Sequence, residues 1–173
     1  MVVGKPLLTV LQIQDRVKEL AKEISTDYKG KEIISIGVLK GAFIFFSDLV
    51  KLIQVPTDID FLNVSSYSKT ESTGKIKIHT DIREDIRGRH VLLIEDIIDT
   101  GITINYLKKK LLAKKPASLK ICCLLDKKER RKVDAGIDYT GFEIPDKYLV
   151  GYGLDYENKF RNLPYIAILK KRG

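Results

Sequence analysis

The chain has 173 residues, 44% of them apolar, enough for the core of one domain and too apolar for a disordered or collagen-like polymer. Lys and Arg number 31 against 23 Asp and Glu, a formal charge of +8, which points to an anionic partner: nucleic acid or a phosphorylated small molecule. No run of roughly 18 uncharged apolar residues occurs and the first ten residues are too short for a secretory signal, so neither membrane spanning nor secretion is expected.

In chain order, Thr9-Val10-Leu11-Gln12 has the pattern of a capping box, and Ile13, Val17, Leu20 and Ile24 recur behind it at helical spacing. An amphipathic helix ending near Gly30 is predicted. Residues 32–38 (EIISIGV) are short, apolar and β-branched, hence a strand. Residues 41–53 read as a helix broken by Pro56, and residues 58–64 (DIDFLNV) as a second strand. Residues 65–75 (SSYSKTESTGK) are small and polar, which predicts a mobile loop, either a hairpin tip or a lid over a site. Residues 91–95 (VLLIE) form a buried strand, 96–101 a turn, and 103–113 a helix ended by Pro116. Residues 119–125 (LKICCLL) are another buried strand, and 148–151 and 165–169 two shorter ones. The adjacent Cys122 and Cys123 are poorly placed to bridge each other, and two free thiols fit a reducing cytoplasm. Both histidines, His79 and His90, read as structural or surface residues.

Buried strands alternating with helices predict an α/β fold, a mostly parallel central sheet with helices on both faces. No repeat or linker divides the chain, so residues 1–173 are expected to form one domain. In such sheets ligands bind beyond the carboxyl ends of the strands. The informative residues are therefore those that follow each strand.

The richest such segment is Glu95-Asp96-Ile97-Ile98-Asp99-Thr100-Gly101-Ile102-Thr103. Backbone N–H groups at a helix start, with hydroxyls beside them, suit a phosphate. Carboxylates would repel that phosphate, so they must serve some other chemistry. They could accept from sugar hydroxyls, hold Mg²⁺ or act as a base. The competing reading is that Asp99 and Thr100 merely cap the helix. There is no Walker A loop, and Gly151-Tyr152-Gly153 lacks the third glycine of a dinucleotide fingerprint.

This acidic segment resembles the 5-phosphoribosyl-1-diphosphate (PRPP) motif of type I phosphoribosyltransferases, in particular their hypoxanthine-guanine branch in its short bacterial form. Further segments carry the resemblance from about Thr9 to Leu169: Gly37-Val38-Leu39-Lys40-Gly41, Ser66-Tyr67, Leu124-Leu125-Asp126-Lys127, residues 141–155 and Phe160-Arg161. The resemblance implies transfer of 5-phosphoribose to N9 of hypoxanthine and/or guanine with release of pyrophosphate, assisted by magnesium. It implies that Glu95 and Asp96 engage the ribose hydroxyls directly or through Mg²⁺. Residues Asp99, Thr100, Gly101, Ile102 and Thr103 would wrap the 5′-phosphate, with Asp99 also facing purine N7 as the catalytic base. Some relatives carry Lys where this chain has Ile102, so less help from charge is expected there.

The same resemblance assigns Leu39, Lys40 and Gly41 to the pyrophosphate, often through a non-proline cis peptide between the first two, and adds Arg161 as a clamp. Lys127 would donate to purine O6, Tyr148 would stack on the base, and the main chain at Leu149 would meet its edge. Asp155 would border the purine and serve as a metal ligand. Ser66 and Tyr67 would belong to a lid over about residues 65–78, and a hood would form from the two ends of the chain. Read locally, Lys127 opens what looks like a solvated charge run through Lys132. The family is usually dimeric or tetrameric, so a homodimer or homotetramer is expected. Two alternatives stand beside this reading: a PRPP- or nucleotide-sensing regulator that uses the +8 to bind nucleic acid, and a magnesium-dependent phosphoryl-transfer protein using Asp96 or Asp99.

Overall fold

The computed structural model describes residues 2–66 and 76–170. Nine strands and three α-helices follow one another as β1 (Val2–Leu8), α1 (Val10–Asp27), β2 (Ile33–Leu39), α2 (Phe43–Val50), β3 (Thr57–Ser66), β4 (Ile76–Thr80), β5 (His90–Ile98), α3 (Ile102–Ala113), β6 (Ser118–Asp126), β7 (Tyr139–Glu143), β8 (Leu149–Val150) and β9 (Ile166–Lys170). Six strands form the main sheet in the order β4-β3-β2-β5-β6-β7. All its pairings are parallel except β3 with β4. The antiparallel sheet β1-β9-β8 joins the two ends of the chain.

Helix α1 starts as the sequence predicts. The Gln12 N–H donates to Thr9 Oγ1 at 3.3 Å, and the Thr9 N–H donates back to the Gln12 side chain at 2.9 Å. Its Ile13, Val17, Leu20, Ala21 and Ile24 are all buried, each worth roughly 1.5–3 kcal/mol for a large aliphatic side chain. Together with Phe45, Phe46 and Leu49 of α2 they cover one face of the sheet, built from Ile33, Leu92, Ile94, Cys122 and Leu124. The alternate residues Ile34, Val91, Leu93, Ile121 and Cys123 turn to the other face, against Ile104, Leu107 and Leu111 of α3. The adjacent cysteines thus enter opposite cores as free thiols, and burial pushes both pKa values up.

Several boundaries differ from the sequence reading. Helix α2 is only eight residues long, because Lys40 to Ala42 are taken up by the turn that leaves β2. Strand β5 continues to Ile98 instead of ending at Glu95, pairing Ile97 with Leu125 and Ile98 with Asp126. Residues 96–98 are therefore strand and not turn. Strands β1 and β7 add to those that the sequence pattern predicts. His79 and His90 serve structure, on Ser65 Oγ and Ser118 Oγ respectively, each at 2.8 Å.

Candidate active site

The chain runs outward from β2 to β3 in one direction and from β5 to β7 in the other, so the topology switches between β2 and β5. At such a point the loops leaving two neighbouring parallel strands diverge and leave a crevice. Here that crevice is a cleft of about 750 Å³. Leu39, Lys40 and Gly41 enter it from β2, and Glu95 to Thr103 from β5 and the start of α3. Asp155 and Arg161 close it from the segment between β8 and β9. The Leu39–Lys40 peptide is cis, as the resemblance implies.

Glu95 and Asp96 are buried side by side at the end of β5. Burial raises the pKa of Glu95, and the neighbouring Asp96 carboxylate raises it further. Burial also raises Asp96, opposed by its contacts with Glu95 and the Ile97 N–H and by the charge of Arg161. A pair that resists carrying two charges is a place for a cation or for sugar hydroxyls. Among the described residues no group of three His, Cys, Asp or Glu side chains is placed to hold a metal ion. The Asp155 carboxylate is already engaged, by Arg161 Nη2 at 2.6 Å and by the Asn158 N–H at 2.7 Å.

Two glycines let three loops meet here. A Cβ on Gly41 would overlap the Asp96 carboxylate, and a Cβ on Gly153 would overlap the Gly41 carbonyl oxygen. Gly153 also has φ +99°, and its carbonyl accepts from Arg161 Nη1 at 2.6 Å. Arg161 is thereby fixed by one backbone oxygen and one carboxylate, with its guanidinium at the cleft.

Helix α3 begins at Ile102 with Gly101 as its N-cap at φ +82°, and no side chain caps it. Asp99 and Thr100 are thus not helix caps in the ordinary sense. Thr100 Oγ1 accepts only a long contact, 3.4 Å, from the Ile102 N–H. No acidic residue lies in the first turn of α3, and Ile102, Thr103 and Ile104 of that turn line the cleft. Residues 131–133 brace the loop from behind, with the Lys132 N–H donating to the Thr100 carbonyl at 3.0 Å.

Of the expected purine residues, Asp155 lines this cleft. Lys127, Tyr148 and Leu149 are not among its walls. Lys127 is only 8% exposed, where a solvated charge run would leave it free, and its Nζ lies 3.3 Å from Asp146 Oδ1. Tyr148 is 55% exposed, with its ring edge-on to Tyr156 and its hydroxyl 3.5 Å from the Asp155 carbonyl. Leu149 buries its side chain in the core and pairs with Ile168 in the small sheet. Ser66 ends β3, and Tyr67 lies outside the described residues; Ser65 and Ile76 line the cleft on that side.

Sequence reasoning passes over Arg130, Arg131 and Asp146. Arg130 lines the cleft, with Nε 3.0 Å from Asp99 Oδ1 and Nη1 3.4 Å from Asp146 Oδ1. Arg131 pairs with Asp126 at the end of β6. Desolvation pushes the Asp146 carboxyl up, but hydrogen bonds and charge from Lys127 and Arg130 together outweigh it and hold the carboxyl below the ordinary value. The signal available is Asp126 at the end of β6, directly before a basic run.

A sheet with this switch point, an acidic strand end and an anion-ready helix start defines a phosphoribosyltransferase. Residues 6–157 match the family model described as phosphoribosyl transferase domain, and the chain belongs to that family. Within it the chain groups with the hypoxanthine-guanine phosphoribosyltransferases. It is 51% identical to the hypoxanthine-guanine phosphoribosyltransferase of Aquifex aeolicus, over 96% of this chain and 97% of that one. The Bacillus subtilis protein of the same name is 47% identical, over 97% and 94%. A crystal structure of a Bacillus anthracis hypoxanthine-guanine phosphoribosyltransferase superposes with a TM-score of 0.94 at 48% identity, covering 98% of this chain and all of that one. The nucleic-acid-binding alternative gains no support from these relatives. No helix among the described residues is long and apolar enough to cross a membrane.

Proposed function

We propose that the cleft between β2 and β5 transfers 5-phosphoribose from PRPP to N9 of hypoxanthine and/or guanine, a purine-salvage reaction giving IMP or GMP and pyrophosphate. The observation that carries this reading is the convergence of three loops, 39–41, 95–103 and 153–161, at the topological switch point. The N9 lone pair attacks C1′, the C1′–O bond breaks with its electron pair going to pyrophosphate, and the N7 proton passes to Asp99. Such a displacement develops positive charge at C1′, so catalysis means receiving the departing anion and keeping water out.

The N–H groups of residues 100–103 and the Thr100 and Thr103 hydroxyls hold the 5′-phosphate. Ile102 contributes through its backbone. Glu95 and Asp96 accept from the ribose hydroxyls. Lys40, the backbone of Leu39 and Gly41, and Arg161 receive the pyrophosphate. The all-oxygen donors Glu95, Asp96 and Asp155 suit Mg²⁺, which takes few protein ligands and completes its shell with water and substrate oxygens. When bound, the ion neutralises charge on the pyrophosphate. Ser66 and Tyr67 belong to the segment that covers PRPP, and the sheet β1-β9-β8 forms a hood carrying Tyr148 and Leu149 to the base. The whole chain, 1–173, acts as one such unit in the cytoplasm, where its two thiols stay reduced, as a homodimer or homotetramer.

Lys127 donates to O6, which favours oxopurines because an amino group at that place offers no acceptor. Lys127→Ala is expected to lower the hypoxanthine-over-adenine ratio of kcat/KM by at least about tenfold. An unchanged ratio would remove the assignment. For the reaction itself, the absorbance change on mixing the protein with PRPP, Mg²⁺ and hypoxanthine or guanine is expected to report nucleotide. No change with either base would overturn the reading.

A further inference from the structure

Four charged side chains link the two ends of the expected base site. Asp99 Oδ1 lies 3.0 Å from Arg130 Nε; Arg130 Nη1 lies 3.4 Å from Asp146 Oδ1; and Asp146 Oδ1 lies 3.3 Å from Lys127 Nζ. The acids come from distant places, the turn after β5 and the segment after β7, and one guanidinium spans them. Arg130 stands on a short 3-10 turn, Lys128–Arg130, whose start is anchored by the Lys127 N–H on the Ile98 carbonyl at 3.0 Å. Asp99 Oδ1 is buried and makes no hydrogen bond, despite its short contact with Nε. The contact therefore holds that oxygen by charge and leaves the rest of the Asp99 side chain, 41% exposed, to take a proton of a ligand.

From this geometry we infer that Arg130 is a positioning residue for the transfer. It fixes Asp99 and, through Asp146, Lys127, and so sets the spacing between the acceptor for purine N7 and the donor for purine O6. Those two atoms are neighbours on a 6-oxopurine, so a rigid link between their partners selects the base's orientation and aligns N9 with C1′. Lysine cannot replace this function fully, because an ammonium lacks the planar fork that reaches two carboxylates at once. The inference rests on the reaction proposed above.

The test compares Arg130→Ala, Arg130→Lys and Asp146→Asn with the wild type. Arg130→Ala is expected to lower kcat on the order of ten- to a hundredfold, the scale of a small misalignment. The KM for PRPP should stay within about twofold, because its contacts lie elsewhere. Arg130→Lys should recover part of the loss, and Arg130→Ala with Asp146→Asn should lose less than the product of the single effects. Wild-type kinetics for Arg130→Ala would overturn the role. So would a loss spread equally over kcat and both KM values with a lowered melting temperature, which marks a merely structural residue. A second readout needs no turnover: the ¹³C resonance of the Asp99 carboxyl should move in Arg130→Ala and not in the surface control Lys128→Ala. A resonance that stays in place also overturns the inference. Inactive wild type would instead remove the transferase reading, leaving the carboxyl shift to judge Arg130 on its own.

Discussion

Asp99→Ala is expected to lower kcat on the order of a thousandfold while changing PRPP affinity by less than about threefold. The two quantities separate because they draw on different atoms. PRPP would be held by N–H groups of the loop and helix start, by Glu95 and Asp96, and by Arg161, none of which the substitution removes. Asp99 adds a carboxylate at the cleft, with one oxygen buried against Arg130 and the side chain 41% exposed. General-base assistance of this kind is worth about 10²–10⁴ in rate. Asp99→Asn keeps the shape and loses the basicity, so it should resemble the alanine variant in kcat. Steady-state kinetics and calorimetric titration with PRPP together decide the matter. Equal losses in turnover and affinity would argue against a base and for a simple contact.

Gly153→Ala is expected to be strongly damaging for so small a substitution. At φ +99° a side chain is strained, at a cost of roughly 1–3 kcal/mol. Its Cβ would also collide with the Gly41 carbonyl, a backbone atom that cannot swing aside. Overpacking adds about 1–3 kcal/mol, so a melting temperature lower by roughly 4–24 °C is expected for a chain of this size. The collision pushes on the 39–41 loop, and Gly41 in turn has no room against Asp96. Activity with saturating PRPP should therefore fall by more than the loss of folded protein explains. Gly30→Ala is the control, with φ +74° and open space around its Cβ. It should cost only about 1 kcal/mol and leave kinetics alone. If thermal melts and kinetics of the two variants coincide, the three-loop stack is not what positions the site.

Much of this is readable in the chain because its signals are local. The capping box of α1 lies within four residues, and the continuous apolar run along 91–94 announces a strand covered on both faces. The acidic turn combines strand end, glycine and helix start in one stretch, so its place in the fold follows from its own sequence. Other features depend on distant partners. Strand β1 carries Gly4 and Pro6, and its pairing with β9 shifts register around Pro6, which blurs any alternation. Strand β7 is five residues long, with Gly141 at its centre because a Cβ there would strike the Leu124 carbonyl. The run from Lys127 to Lys132 looks uniformly solvated in the sequence, yet it sorts into a buried Lys127, a bridging Arg130 and a braced Arg131. Their partners Asp146, Asp99 and Asp126 come from three other segments. Gly153 stands in the sequence within the 141–155 segment of the resemblance but without a role, and its contact with Gly41 exists only once the strands near 150 fold back over the switch point.

The +8 charge, ambiguous in the sequence, resolves in the same way. Lys40 and Arg161 fall at the cleft beside buried acids, a pattern that suits a small polyanion. The central claim is that this pocket couples pyrophosphate release to nucleotide formation. Phosphorus NMR of PRPP and Mg²⁺ with the protein tests it most directly. On addition of hypoxanthine or guanine, pyrophosphate and nucleotide monophosphate signals should grow together in equal amounts, and neither should grow without a base. Pyrophosphate released with no base present, or no nucleotide formed with either base, would contradict it.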